Sequence, residues 1–262
     1  MKGLSVLPLF SVLSVVLLMS ACAGQETRQE QDNIGDLGRS TQESPADIYL
    51  QMGIAYMQDG QPAIALKKLK KGLAVDPDNA EIHNVIAIFY ERLGETQLAE
   101  THYAEAVKLQ PKNPYIHNAR GSFFCKQKRY QEAKDEFERA VSNPLYPTPW
   151  VALTNAGLCA ERADDKTLAE SYYRRALSSK KDYPLALYQM AETSLELGSY
   201  LPARGYLERY NSAAQPTAGS LWLGVRIEHA LGGREQAAAY KKLLRDRFPD
   251  APEVQLLNKI ER

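Results

Sequence analysis

Along residues 46–250 the apolar positions fall at helical spacing, and the stripes come in pairs. Residues 80–113, AEIHNVIAIFYERLGETQLAETHYAEAVKLQPKN, set the pattern. His83, Ile86, Ala87 and Tyr90 share one helical face, and Leu93-Gly94 closes that helix. Ala99, Tyr103 and Ala106 share a second face, and Pro111 stops it. The small residues Ala87, Ala99 and Ala106 let two antiparallel helices approach closely, and the aromatic rings fill the space between them. The spacing predicts a helix-turn-helix hairpin.

The hairpin recurs. Aligned on its small residues, the chain holds copies at 46–79, 80–113, 114–149, 150–183, 184–217 and 218–251. The first has Gly53, Ala65, Leu69 and Gly72 in the matching slots; the third has Gly121, Ala133, Phe137 and Ala140. The fourth has Gly157, Ala169, Tyr173 and Ala176; the fifth keeps Ala191, Leu197-Gly198 and Ala203. The sixth keeps Leu231-Gly232 and Ala237 but is the least regular, with Leu244 where a small residue is expected; Tyr210 makes the same departure in the fifth. This pattern resembles the tetratricopeptide repeat, whose period is 34 residues. The resemblance implies an all-α superhelix of about six helix-turn-helix repeats with an inner groove. In residues 251–262, Val254, Leu257 and Ile260 share one face, which reads as a capping helix over the open end of the stack.

One interval is 36 rather than 34 residues, and the surplus lies in the run Ser142-Asn143-Pro144-Leu145-Tyr146-Pro147-Thr148-Pro149. Three prolines there forbid helix and stiffen the connection. It reads as a rigid spacer, or as a feature that reshapes the groove for a partner.

Composition narrows the function classes. Apolar residues make up 44% and charged residues 24%, which fits a globular chain, and the formal net charge is zero, so the basic excess of a nucleic-acid binder is missing. The local exception is Lys67, Lys68, Lys70 and Lys71. It reads as a solvated helix face, with contact to an anionic surface as the other reading.

The beginning of the chain carries an address. Met1-Lys2 precedes a mostly apolar run from 4 to 19, the length of a signal-peptide core and short for a membrane span. Met19-Ser20-Ala21-Cys22 follows and resembles a bacterial lipobox, with methionine where leucine is usual. The resemblance implies removal of 1–21 and lipidation of Cys22. Ala23 rather than aspartate follows, which by resemblance to the Gram-negative sorting rule implies the outer membrane, facing the periplasm. Residues 22–45 are polar and read as a disordered tether.

No catalytic chemistry emerges: the chain has no phosphate-binding glycine loop, no G-x-S-x-G and no H-E-x-x-H. The expectation is therefore a protein that is not an enzyme, with no cofactor, no metal, no small-molecule substrate and no nucleic acid. His83 and His117 occupy one slot in adjacent repeats, which would bring them near each other without making a metal site. Cys125 and Cys159 are 34 apart, late on the first helices of neighbouring repeats. In the oxidising periplasm that the lipobox implies, they are expected to form a disulfide, the alternative being two buried thiols.

In such arrays the first helices line the concave face. The inward slots hold Leu50, Ile54 and Met57, then Asn84, Ile88 and Glu91, then Asn118, Ser122 and Cys125, then Thr154, Leu158 and Glu161, and last Tyr188, Glu192 and Leu195. Leu50, Ile54, Met57, Ile88 and Leu158 make the groove partly apolar, as partner sites are. Asn84 and Asn118 recur at one slot and suit an extended peptide backbone, which an amide can both donate to and accept from.

The lipobox, the tether and six repeats together resemble the PilF/PilW family of type IV pilus biogenesis lipoproteins. The most specific segments are Asn143-Pro144-Leu145-Tyr146-Pro147 and Asn155-Ala156-Gly157-Leu158-Cys159, with Cys125 upstream. The resemblance implies a pilotin: an outer-membrane lipoprotein that helps the pilus secretin reach the membrane and multimerise. The competing expectation is a periplasmic lipoprotein scaffold for peptidoglycan enzymes or outer-membrane protein assembly, since the repeat alone carries no function.

Overall fold

The computed structural model describes residues 44–260. They form thirteen helices, and among the described residues there is no strand. In chain order the helices are α1 (Pro45–Gln58), α2 (Pro62–Val75), α3 (Ala80–Arg92), α4 (Thr96–Leu109), α5 (Pro114–Lys126) and α6 (Tyr130–Ser142). Then follow α7 (Pro149–Arg162), α8 (Lys166–Ser179), α9 (Pro184–Glu196), α10 (Tyr200–Ala213), α11 (Ala218–Leu231), α12 (Arg234–Arg247) and α13 (Pro252–Ile260). The signal peptide, Cys22 and nearly all of the tether lie outside the described residues.

Local chemistry starts and stops these helices. Ser44 and Asp47 form a reciprocal capping box on α1, Asn79 caps α3 through Ile82 N, and Thr217 with Ser220 boxes α11. Pro45, Pro62, Pro114, Pro149 and Pro184 stand at helix starts, where a missing N–H costs nothing. Within each hairpin one turn residue is left-handed: Gly60, Gly94, Gly198 and Gly232, but Lys128 (φ 60°) and Asp164 (φ 62°) in the third and fourth.

Each hairpin closes by setting a small residue against a large one. A Cβ on Gly53 would lie 2.5 Å from Leu69, on Gly121 2.9 Å from the Phe137 ring, and on Gly157 nearer still to the Tyr173 ring. Tyr103, Phe123, Phe137 and Tyr173 are wholly buried, and each contributes roughly 1.5–3 kcal/mol relative to exposure. In the sixth hairpin the close approach falls on Gly224 against Tyr240, one residue before the position a strict 34-residue count selects, Val225. Leu244, and Tyr210 in the fifth hairpin, occupy small-residue slots yet are buried, Tyr210 by meeting Tyr188 edge-on at 5.8 Å.

Successive hairpins stack with a consistent sidedness. First helices touch first helices (α1 with α3, α3 with α5, α5 with α7, α9 with α11), and no comparable series joins the second helices. Helices close together on one side and spread on the other make a curve, with the odd-numbered helices on the inside. At the far end α13 packs on α11 and α12, burying Leu257 and half-burying Val254 against Leu221, Val225 and Leu244. The Ile260 side chain lies outside the described residues.

The proline-rich connection is an ordered turn. Asn143 Nδ2 donates to Lys112 O at 3.0 Å, and Tyr146 is buried against Ala140 and Ala152 with its ring 5.2 Å from that of Tyr115. Leu145 stands 86% exposed beside a cleft of about 530 Å³ that Pro111, Tyr115 and Pro147 also line.

Candidate partner-binding face

The inner wall is built by α1, α3, α5, α7, α9 and α11, and the structure sorts the expected groove residues along it. Ile54 is 37% exposed, and Met57, Asn84, Ile88, Glu91, Asn118, Ser122, Leu158 and Tyr188 are half-buried. Leu50 is a correction: at 7% exposure it belongs to the core, packed with Leu69, Ile82 and Ile86. Thr154 and Cys125 are buried too, because their helix turns them toward the neighbouring hairpin.

Further along, polar side chains tie each first helix to the next. Lys126 of α5 pairs with Glu91 of α3, which also accepts from the Tyr103 hydroxyl at 2.8 Å. Asn155 Nδ2 of α7 donates to Asn118 Oδ1 of α5 at 3.0 Å. Thr193 of α9 donates to Glu161 of α7 at 2.8 Å, and Arg226 of α11 pairs with Glu192 of α9. The two amides expected to face a peptide backbone differ in their surroundings. Asn118 is engaged by Asn155, while the Asn84 Oδ1 is buried with no hydrogen-bond partner.

The surroundings shift several of these groups. Burial pushes the Glu161 carboxyl above the usual carboxylate range, against the opposing Thr193 hydrogen bond. Burial, then the neighbouring Glu91 carboxylate, drives the Tyr103 phenol far upward; burial and Glu192 do the same to Tyr188. The first step of the wall contrasts with this: Ile54, Met57 and Ile88 present methyl and thioether groups.

His83 and His117 are not partners. His83 Nδ1 meets His102 Nδ1 at 3.0 Å and its Nε2 meets Pro77 O at 3.1 Å. His117 Nδ1 meets Glu136 Oε2 at 2.7 Å and its Nε2 meets Pro111 O at 2.9 Å, with both side chains buried. Each histidine meets a side chain of its own hairpin through Nδ1 and a proline carbonyl of the preceding connection through Nε2; the partners His102 and Glu136 are themselves 34 apart, a periodicity that could have revealed them. Among the described residues no cluster of three or more His, Cys, Asp or Glu is placed to hold a metal. Cys125 and Cys159 are joined as a disulfide with Cα atoms 5.7 Å apart, linking α5 to α7.

This arrangement has known counterparts. The tetratricopeptide repeat profile matches residues 50–114, 90–148 and 119–186. The type IV pilus assembly protein PilF of Pseudomonas aeruginosa is 30% identical over 242 residues, 92% of this chain and 95% of that one. The crystal structure of PilW, described as a widely conserved type IV pilus biogenesis factor, superposes with a TM-score of 0.74 at 29% identity, covering 82% of this chain and 99% of that one. A structure of Pseudomonas aeruginosa PilF gives 0.73 at 29% identity, covering 83% and 98%. Each of these matches covers most of this chain and nearly all of the relative. The chain is a tetratricopeptide-repeat scaffold that belongs to the PilF/PilW family of type IV pilus biogenesis proteins.

Proposed function

We propose that this protein is the pilotin of a type IV pilus, an outer-membrane lipoprotein that brings the pilus secretin to the membrane and promotes its multimerisation. The scaffold acts by binding protein partners in the pilus machinery. The observation that carries the reading is the inner wall at α1 and α3, where Ile54, Met57 and Ile88 offer an apolar surface. An apolar strip in a concave, preformed wall suits an extended or helical segment of a partner. The buried, unpartnered Asn84 carbonyl beside it would accept a backbone N–H from such a segment.

The anchor supplies the second half of the mechanism. Lipidation at Cys22 would hold the array at the inner leaflet of the outer membrane, and the wall would hold the secretin segment. Two linked contacts raise each other's effective concentration and strengthen binding by roughly 10²–10⁴ without a new contact.

Deleting the gene and assaying SDS-resistant secretin multimers in the outer-membrane fraction tests this. The reading expects the multimers to disappear, wild type to restore them, and Cys22→Ala to restore protein without restoring their location. Normal multimers and normal pili in the deletion strain would overturn it in favour of a scaffold for peptidoglycan enzymes or outer-membrane protein assembly.

A further inference from the structure

We propose that the outer face of α2 docks on an anionic lipid surface, through Lys67, Lys70 and Lys71. The helix reads PAIALKKLKKGLAV: four lysines and no carboxylate. Elsewhere many cations sit beside carboxylates, as at Lys108–Glu105, Lys126–Glu91, Arg129–Glu100, Lys166–Glu196, Arg175–Glu138 and Arg204–Glu228. Among the described residues none of the four α2 lysines has an ion-pair partner. A chain of zero net charge has thus separated a block of positive charge onto one helix. Its field reaches the neighbouring hairpin, where Lys70 is one of the groups holding the His102 ring below its ordinary value, after burial and His83.

The face is mixed as well as charged. Lys67, Lys70 and Lys71 line a shallow depression of about 430 Å³ together with Ala63, Leu66 and Ala74. Ile64 and Val75 stand 39% and 52% exposed on the same helix. Ammonium groups set among methyl groups fit a lipid headgroup layer, where the lysine stems lie on apolar surface and their heads meet phosphate. A purely acidic peptide such as polyglutamate would gain little from those methyl groups.

Position favours the same occupant. α2 belongs to the first hairpin, and residues 23–44 separate Cys22 from α1, a reach of at most roughly 75 Å. The proposal rests on the anchor reading for its location and stands apart from it in its chemistry. Each lysine near an anionic surface strengthens partition roughly fivefold, so three together give roughly a hundredfold. Docking would hold the first hairpin, and with it the apolar wall, in a fixed relation to the leaflet.

The test uses residues 22–262 carrying Cys22→Ser, so that no lipid anchor contributes. Sedimentation with vesicles of phosphatidylethanolamine and phosphatidylglycerol should carry the protein down, and phosphatidylcholine vesicles should not. Added salt should release it. Replacing Lys67, Lys70 and Lys71 by glutamate should weaken partition by more than roughly a hundredfold, while replacing them by arginine should preserve it, with circular dichroism reporting the fold of both. Absence of binding, equal binding to both vesicles, unchanged binding by the glutamate variant, or capture of polyglutamate without capture of vesicles would overturn the proposal. Fractionation of lipidated Cys22 protein decides the anchor separately, so either reading can fail alone.

Discussion

The first hairpin and the third-to-fourth junction are built from the same slots and finished differently. At the junction, α5 and α7 share the Cys125–Cys159 disulfide and the Asn118–Asn155 hydrogen bond, and the connection between the hairpins is stiffened by three prolines. At α1 and α3 the wall positions are Ile54, Met57 and Ile88, and the core behind them is a smaller cluster of Ala46, Leu50, Leu69, Ile82 and Ile86. In a stack where each repeat leans mainly on its neighbours, such cross-links stiffen the region that carries them, while the wall at α1–α3 presents apolar surface. The difference teaches that the middle of the array holds its shape and the beginning offers the surface.

Removing the staple should weaken this contrast most. Cys125→Ala with Cys159→Ala frees a loop with a sequence separation of 34 and should cost about 2–4 kcal/mol, read as a lower denaturant midpoint through the fluorescence of Trp150 in α7. A midpoint that does not move would mean that the junction is held by packing alone.

Gly157→Ala attacks the same region from inside its hairpin. The new methyl meets the Tyr173 ring, which is wholly buried and has nowhere to move. Thermal or urea unfolding should show a loss of about 1–3 kcal/mol. Gly205→Ala, whose Cβ meets nothing within 4 Å, should show no such loss and serves as the control. Lys128→Gly acts in the opposite direction, relieving a left-handed lysine between α5 and α6 and stabilising by about 1 kcal/mol.

A pH titration sharpens the boundary between the second and third hairpins. The His102 ring is held below its ordinary value of 6.5 by burial, His83 and Lys70. Its neutral form suits the fold, so this contribution is complete above 6.5 and declines as pH falls below it. Burial opposes charge on His117 as well, but the Glu136 carboxylate and the Pro111 carbonyl outweigh it and the net direction is upward. That contribution is complete below 6.5 and is lost as pH rises through the raised value. Amide exchange should therefore quicken in α3–α4 on acidification while α5–α6 becomes better protected; a parallel response would contradict the pairing.

The periodic part of this molecule was legible because each hairpin repeats one steric problem, a small residue under a large one. That is why the starts at 80, 114, 184 and 218 coincide with α3, α5, α9 and α11. The sixth close approach was harder to read, since Gly224 and Tyr240 keep their mutual spacing but leave the 34-residue register. The wall was only partly legible. Helical spacing places Leu50 among the inward slots, yet the rotation of α1 against Leu69 and Ile82 turns it into the core. Nor does the recurrence of Asn84 and Asn118 at one slot show that Asn118 already accepts from Asn155, because hydrogen bonds between hairpins depend on side-chain reach. His83 pairs with His102 for the same kind of reason: its own hairpin is nearer than the next one.

The central claim is that the apolar wall at α1–α3 is where this family member holds its pilus partner. The most direct measurement is capture of the pilus secretin by purified protein carrying Ile54→Asp with Met57→Asp, compared with Leu158→Asp further along the wall, with the fold of each checked by circular dichroism. The account predicts that the first variant loses the secretin and that the second keeps it. Retention by the first variant and loss by the second would contradict it.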